Sequence, residues 1–382
     1  MNWLFFEPNK SYIRLMSYNW ELSDWPNFTF STLKIEGKLY DFAQETGAVN
    51  ALINALPNEI KQQTLLELIL SEAINTSAIE GEFLSREDVM SSIKNNLGLN
   101  KTAEIVKDKR ASGIADLMIE VRNTFDKELN EQTLHHWHKL LFGDSKHINV
   151  AAWRKGDEPM RIISGGIDKE QIHFEAPPSA VIKKEMNLFF KWLINTKPNG
   201  STEIKDPVIR AGIAHLYFES IHPYEDGNGR IGRAIAEQVL SQTLGRPVML
   251  SLSNTIERNK DAYYLALKNA QKSNNISDWL KYFLEIALNA QLEAKQMIDF
   301  TLRKIKVFDS VKGNLNERQL KVLQKMYSFG PAGFEGGMTT KKYISITKTS
   351  KATATRDLQE LEKLGVLASS GGGRSVHYHL IY

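Results

Sequence analysis

Through the middle of the chain, apolar side chains return every three or four residues, the spacing of one face of a helix. Between positions 58 and 75 that stripe runs Leu66, Ile69, Leu70 and Ala73, and Ser77 continues it. Further amphipathic runs cover roughly residues 102–125, 132–142, 180–195, 207–220, 230–243, 259–272 and 278–308. Strand signals are confined to 160–164 and 171–175, which flank Gly165-Gly166 and run into Pro177-Pro178, predicting one hairpin among helices. The pattern differs at both ends. The first 35 residues hold Trp3, Phe5, Phe6, Tyr12, Tyr18, Trp20, Trp25, Phe28 and Phe30 with Pro8 and Pro26 and no sustained period, which predicts irregular packing onto a larger body. Beyond Lys312-Gly313-Asn314, a helix is expected around Leu320, Leu323 and Met326, a short one over 340–344 and a third over 350–364. Strands over 366–370 and 375–380 then flank Gly371-Gly372-Gly373, giving a winged-helix outline. The fold class expected is mainly α, with bodies at 1–57, 58–311 and 312–382.

Composition narrows the classes of function. The chain has 382 residues, 42% hydrophobic and 24% charged, enough for sizeable cores in two or three domains. It has no cysteine, which excludes a disulfide framework, a thiolate zinc site and a cysteine nucleophile. Its apolar stretches, such as Leu65-Leu66 and Leu68 to Leu70 around Glu67, fall well short of the roughly 18 residues a spanning helix needs, so no membrane partner is expected. Residues 1–10 show no basic segment followed by an apolar one, and the expected location is cytoplasmic. The net charge of +3 is uneven: residues 315–382 hold ten Lys/Arg against five Asp/Glu, leaving 38 against 40 before them. The basic block belongs to the tail, so the two parts are expected to have different partners.

The chemistry is concentrated in His222-Pro223-Tyr224-Glu225-Asp226-Gly227-Asn228-Gly229-Arg230-Ile231-Gly232-Arg233. Asp206-Pro207 opens a helix that must end before Pro223, and Ile231, Ile235 and Val239 give the next helix a buried stripe. Gly227-Asn228-Gly229 is therefore a loop feeding a helix N-terminus, where backbone N–H groups and the helix dipole favour a phosphate. Arg230 and Arg233 leave the same side of the first turn, and two guanidinium forks beside an anion loop imply a polyphosphate. Asp226 is a hard oxygen ligand suited to Mg²⁺ held by one carboxylate, phosphates and water. His222, with an ordinary pKa of about 6.5, is largely neutral at pH 7 and suits a base that takes a hydroxyl proton. A plain structural turn would need only a Gly-x-Gly; eight specified residues in one stretch point instead to metal-assisted phosphate-ester transfer.

This stretch resembles the signature of the Fic family, H-P-F-x-D/E-G-N-G-R-x-x-R, from which only Tyr224 departs. The resemblance covers roughly residues 60–310. It implies a helical bundle and transfer of a nucleoside monophosphate, usually AMP from ATP, onto a protein hydroxyl, the chain itself being one candidate target. It implies that His222 is the base and Asp226 the Mg²⁺ ligand. Asn228 with the Gly227 and Gly229 backbone would hold the α and β phosphates, Arg230 the phosphate chain and Arg233 the γ phosphate. A buried Tyr224 hydroxyl would need a partner. Ile172, His173 and Phe174 look like the family's flap, against which a target peptide adds as a strand. Asn259 and Tyr263, with Tyr264, either line a base pocket or belong to the core.

Thr76-Ser77-Ala78-Ile79-Glu80-Gly81 resembles the family's inhibitory motif, S/T-x-x-x-E-G/N. By that resemblance Glu80, with Thr76, occupies Arg233 in place of the γ phosphate, unless the segment is simply a helix end capped by Gly81. In the tail, Lys348, Lys351 and Arg356 near the third helix and Arg374 on the wing suit phosphate contacts with DNA, although winged helices also bind proteins. The expected function is that of an autoinhibited protein adenylyltransferase. The alternatives are de-AMPylation or another nucleotide donor on the same fold, and a nucleotide-sensing DNA-binding regulator; homodimerisation stays open.

Overall fold

The computed structural model describes residues 17–164, 171–372 and 375–381. Trp3, Phe5, Phe6, Tyr12, the Gly165-Gly166 tip and Arg374 fall outside the described residues. In chain order come α1 (Glu36–Ala55), α2 (Asn58–Ile79), α3 (Arg86–Asn96), α4 (Lys109–Asn123), α5 (Glu131–Phe142), β1 (Arg161–Ser164) and β2 (Gln171–Glu175). There follow α6 (Ile182–Thr196), α7 (Pro207–Ile221), α8 (Asn228–Leu244), α9 (Leu252–Glu257), α10 (Lys260–Ala270) and α11 (Ser277–Ser310). The last elements are α12 (Glu317–Tyr327), α13 (Thr340–Thr347), α14 (Lys351–Lys363), β3 (Leu367–Ser370) and β4 (His377–Leu380). The protein is mainly helical, as the periodicity predicts. Three stretches that the pattern does not assign are also helices, namely α1, α3 and the short α9. None of the described helices is long and apolar enough to cross a membrane.

The chain divides into two compact units, one reaching Gln44 and resuming over Ile69–Ala290, the other comprising Glu45–Leu68 and Gln291–Tyr382. At the centre of the first lie α7 and α8. Asp206 caps α7 by accepting from the Val208 and Ile209 N–H groups at 2.9 and 3.0 Å, and Pro207 fits the first turn, which has no use for its missing N–H. Every residue of α7 from Val208 to Ile221 is buried, as expected of a helix covered on all sides. Its closest neighbour is α8, with α6 against α7 and α4 against α8. Gly212 lets α11 approach: Trp279 donates its indole N–H to the Gly212 carbonyl at 2.8 Å, and a Cβ there would press on Leu280 and Phe283 at 3.0 Å.

The described part of the aromatic N-terminal segment packs irregularly on this body. Asn19 donates to the Ser220 hydroxyl at 2.9 Å, and the Trp20 indole donates to the Glu175 carbonyl at 2.8 Å. Trp25 and Phe28 meet Tyr217 edge-on, with ring centroids 5.1 and 5.6 Å apart. The hairpin pairs β1 with β2 antiparallel, Ile162 opposite Phe174 and Ile163 opposite Ile172, so His173 is the extra residue of a β-bulge.

In the second unit, α12, α13 and α14 enclose a core of Val322, Leu323, Met326, Tyr343, Leu358 and Leu361, closed by Leu367 and Tyr378 of the β3–β4 hairpin. Asp357 is buried in this core, where it accepts from the Tyr343 hydroxyl at 2.9 Å and the Arg318 Nε at 2.8 Å. Burial opposes its charge, but these partners hold the carboxyl below its ordinary value.

Candidate active site

The site begins where α7 stops. His222 takes the left-handed conformation (φ 50°, ψ 60°), unusual for a residue with a side chain, and ends the helix one step before Pro223. Such a conformation costs about 1–3 kcal/mol and persists only where neighbours enforce it. Here the neighbour is Arg154, itself buried. Its Nε donates to the His222 carbonyl at 2.8 Å, its Nη2 to the Pro177 carbonyl at 2.5 Å and its Nη1 to the Ser179 hydroxyl at 3.0 Å. One guanidinium thus ties the histidine to the segment that follows the hairpin. Burial, reinforced by the Arg154 charge, pushes the His222 imidazole down to about 4, so it is neutral at pH 7.

From Pro223 the chain turns into α8. Asn228 secures the turn from both sides, accepting from the Tyr224 N–H at 2.9 Å and donating to the Tyr224 carbonyl at 2.8 Å. Its carboxamide is spent within the loop, which leaves its backbone N–H for an anion. Gly227 has φ 81°, and a Cβ there would stand 2.6 Å from the Phe142 ring. No side chain caps α8, so its first turn presents N–H groups to the site. Tyr224 is fully buried with its hydroxyl 3.0 Å from His135 Nδ1, and His138 stacks on its ring at 4.2 Å. The partner that a buried tyrosine needs is therefore present.

Asp226 is 58% exposed; its Oδ1 accepts from the Gly227 N–H at 2.6 Å and lies 3.6 Å from Arg230. Among the described residues no group of three His, Cys, Asp or Glu is placed to hold a metal. A single exposed carboxylate fits Mg²⁺ only in the form in which that ion is usually bound, with phosphates and water supplying the remaining ligands.

Both arginines of α8 point back at the end of α2, and both meet acids there. Arg233 is 2% exposed; its Nε donates to the Thr76 hydroxyl and its Nη2 to the Thr76 carbonyl and to Glu80 Oε1, each at 2.8 Å. Although burial opposes its charge, Glu80 keeps the guanidinium above its ordinary value. Gly81 (φ 80°) ends α2, so the glycine cap and the ion pair coexist. Glu82 then accepts from Arg230 Nη1 at 2.8 Å, while that guanidinium lies 4.9 Å above the Phe142 ring. A Cβ at Gly229 would collide with the Glu80 carboxylate. The carboxylate lies against the helix turn expected to receive phosphate. Farther back, Glu72 fixes α2 by accepting from the Ser251 hydroxyl at 2.7 Å and the Ser253 N–H at 3.0 Å.

Behind this surface lies a buried polar cluster. Tyr263 is in the core, its hydroxyl 2.8 Å from His215 Nε2, and is therefore no wall of a base pocket; the exposed ring is that of Tyr264, at 41%. Asn259 caps α10 by accepting from the Ala262 N–H at 3.3 Å. Burial pushes His215 down to about 4. Glu219 is pushed up to about 8 by burial, with Arg233 pulling it down and Glu80 reinforcing the rise. At the hairpin, Ile172 is exposed, Phe174 is buried against Tyr18, and His173 Nδ1 lies 3.3 Å from the Lys268 ammonium. In the tail, Lys348, Lys351 and Arg356 are exposed around the start of α14.

The structure brings His222, Gly227, Asn228, Gly229, Arg230, Arg233 and Asp226 together with Thr76 and Glu80. It adds Arg154, Phe142, Glu82 and Glu219, which the sequence motifs do not single out. Glu82 and Glu219 carry a local signal, since both are acids within three residues of a marked motif; Arg154 and Phe142 carry none.

A family model described as "Fic/DOC family" matches residues 128–240, and a domain of unknown function (DUF4172) matches residues 18–99. The chain is 33% identical over 99 residues to a probable protein adenylyltransferase of Aquifex aeolicus, covering 26% of this chain and 27% of that protein. It is 31% identical over 94 residues to the protein adenylyltransferase Fic of Nematostella vectensis, covering 25% and 20%. The chain thus spans about a quarter of the length of the curated relatives it matches. In fold it is similar to a Fic family protein from Desulfovibrio desulfuricans, with TM-score 0.54, 18% identity and coverage of 93% of this chain and 98% of the other.

Proposed function

We propose that this chain, which carries a Fic/DOC family domain over residues 128–240, transfers AMP from ATP to a hydroxyl side chain of a protein under restraint by Glu80. In the reaction the target oxygen bonds to the α-phosphorus, the bond to pyrophosphate breaks, and the hydroxyl proton passes to His222. A neutral imidazole held by Arg154 supports that role. The α8 N-terminus and the two arginines bind the phosphates, and Asp226 holds Mg²⁺ together with them. When bound, the ion neutralises charge on the phosphate oxygens. The exposed edge of the β1–β2 hairpin, around Ile172 and His173, receives the target as an added strand. The C-terminal helices and hairpin act as a separate winged-helix body beginning near residue 312.

The observation that carries the reading is the pairing of Arg233 with Glu80 beside Gly229, because a carboxylate there occupies an arginine and a helix turn suited to phosphate. Glu82 on Arg230 extends the same restraint. The test is intact-mass analysis after incubation with Mg²⁺ and each of ATP, GTP, CTP and UTP, using self-modification as the readout. We expect a mass gain of one AMP in Glu80→Gly, little in wild type and none in Glu80→Gly/His222→Ala. A gain that survives loss of His222 would overturn the mechanism.

A further inference from the structure

We infer that Glu219 is the positioning residue of His222: its carboxylate, seated in the space Gly232 leaves open, receives the Nδ1–H of the imidazole and so presents Nε2 as the base. This rests on the transfer reading above, because it concerns which nitrogen takes the hydroxyl proton.

Glu219 Oε2 lies 3.7 Å from His222 Nδ1, both side chains being almost wholly buried. Glu219 Oε1 is a buried atom without a hydrogen-bond partner, and the His222 imidazole faces the Glu219 backbone carbonyl as well as the carboxylate, so the two acceptors of one residue compete for Nδ1–H. The 3.7 Å separation is an ion-pair distance, which a small side-chain rotation converts to a hydrogen bond once a substrate orders the site. The backbone of His222 is pinned by Arg154, which fixes the position from which the ring departs. The third line is steric: a Cβ on Gly232 would collide with Glu219 Oε1, so this glycine opens the seat of the carboxyl. An anionic Glu219 accepts from Nδ1–H and stabilises the imidazolium formed when Nε2 takes a proton, and a neutral carboxyl does neither.

The charged and titratable groups facing Glu219 are Arg233 of α8, Glu80 beyond α2, Tyr263 and Tyr264 of α10, and His215 and His222 at its own helix. Arg233 favours the anion and Glu80 opposes it. With Glu219 at about 8, transfer rises with pH through that titration, and removing the Glu80 charge moves the rise to lower pH.

The test uses the full chain in the Glu80→Gly background, with steady-state self-transfer measured across pH and the His222 tautomer read by ¹⁵N NMR. Glu219→Gln should lower kcat about 100-fold with the KM for ATP within about twofold, and abolish the rising limb. Glu219→Asp should restore the limb at reduced kcat. Gly232→Ala, which displaces the carboxyl but keeps its charge, should lower kcat in the same way. NMR should find the Nδ1–H form in Glu80→Gly and lose it in Glu80→Gly/Glu219→Leu. A pH profile unchanged by Glu219→Gln, or an Nδ1–H form that survives Glu219→Leu, would overturn the inference. Should Glu80→Gly transfer nothing, the transfer reading fails and the tautomer alone decides the positioning role.

Discussion

Replacing Glu80 by glycine removes one carboxylate and leaves the rest of the Arg233 pocket standing, since the Thr76 hydroxyl and carbonyl still accept from the guanidinium. The lost contact is a 2.8 Å charge-assisted hydrogen bond between an arginine 2% exposed and a glutamate 30% exposed. Bonds of this kind contribute about 1.5–3 kcal/mol. A phosphate competing for Arg233 must overcome that amount, so relief should raise transfer roughly 10- to 150-fold. The same change leaves a buried cation short of one partner and should lower unfolding free energy by about 1–3 kcal/mol. Transfer is assayed by the rate of AMP-sized mass gain, and stability by urea denaturation of the same preparation. Gain and loss should appear together. A folded, measurably destabilised Glu80→Gly protein whose transfer stays within twofold of wild type with all four nucleotides would refute the reasoning. Because Glu82 still pairs with Arg230, at 26% exposure, adding Glu82→Gln should give at most about a further fivefold.

Arg154→Ala removes three hydrogen bonds from His222, Pro177 and Ser179, and should cost about 3 kcal/mol or more by urea denaturation while abolishing transfer even with Glu80→Gly. Tyr224→Phe loses only the hydroxyl on His135 and should cost about 0.5–1.5 kcal/mol with transfer preserved, so a large loss of activity would argue for a chemical role. His138, His215 and His222 have folded values of about 4, below the ordinary 6.5. The unfolded chain therefore binds more protons between those values, and stability present above about pH 6.5 is lost as pH falls toward 4. Thermal melts across that window should show the decline, and it should be shallower in His215→Gln. For the tail, retention on DNA at low salt should fall steeply with added salt and be weakened by Lys351→Glu/Arg356→Glu; no retention at low salt would exclude that role.

The sequence exposes those parts of the site whose constraints are local. Asp206-Pro207, Pro223 and the glycines at 227 and 229 each dictate the backbone within a few residues, so the α7–turn–α8 unit and its glycine turn are legible from residue order alone. The α2 stripe is legible for the same reason, whereas α1 is harder to see because Gly37, Gly47 and many polar residues dilute its buried Phe42, Val49 and Ile53. Arg154 and Phe142 act across gaps of about 70 to 90 residues, where no periodicity relates one position to another. Tyr263 and Tyr264 illustrate the remaining limit: adjacent on one helix, they differ only in which faces the core, and that depends on the neighbouring His215.

The missing side chain at Gly229 serves two tenants, since the space that would let a phosphate reach the helix turn is also the space the Glu80 carboxylate fills. Any larger residue there evicts both. In the proposed function, a substitution at this position that removed the restraint would also remove the phosphate site, so relief without loss must come from the α2 side of the contact. Under that proposal, residues 76–82 can be altered to tune the restraint while the helix turn is left intact, so regulation and chemistry are separable by mutation.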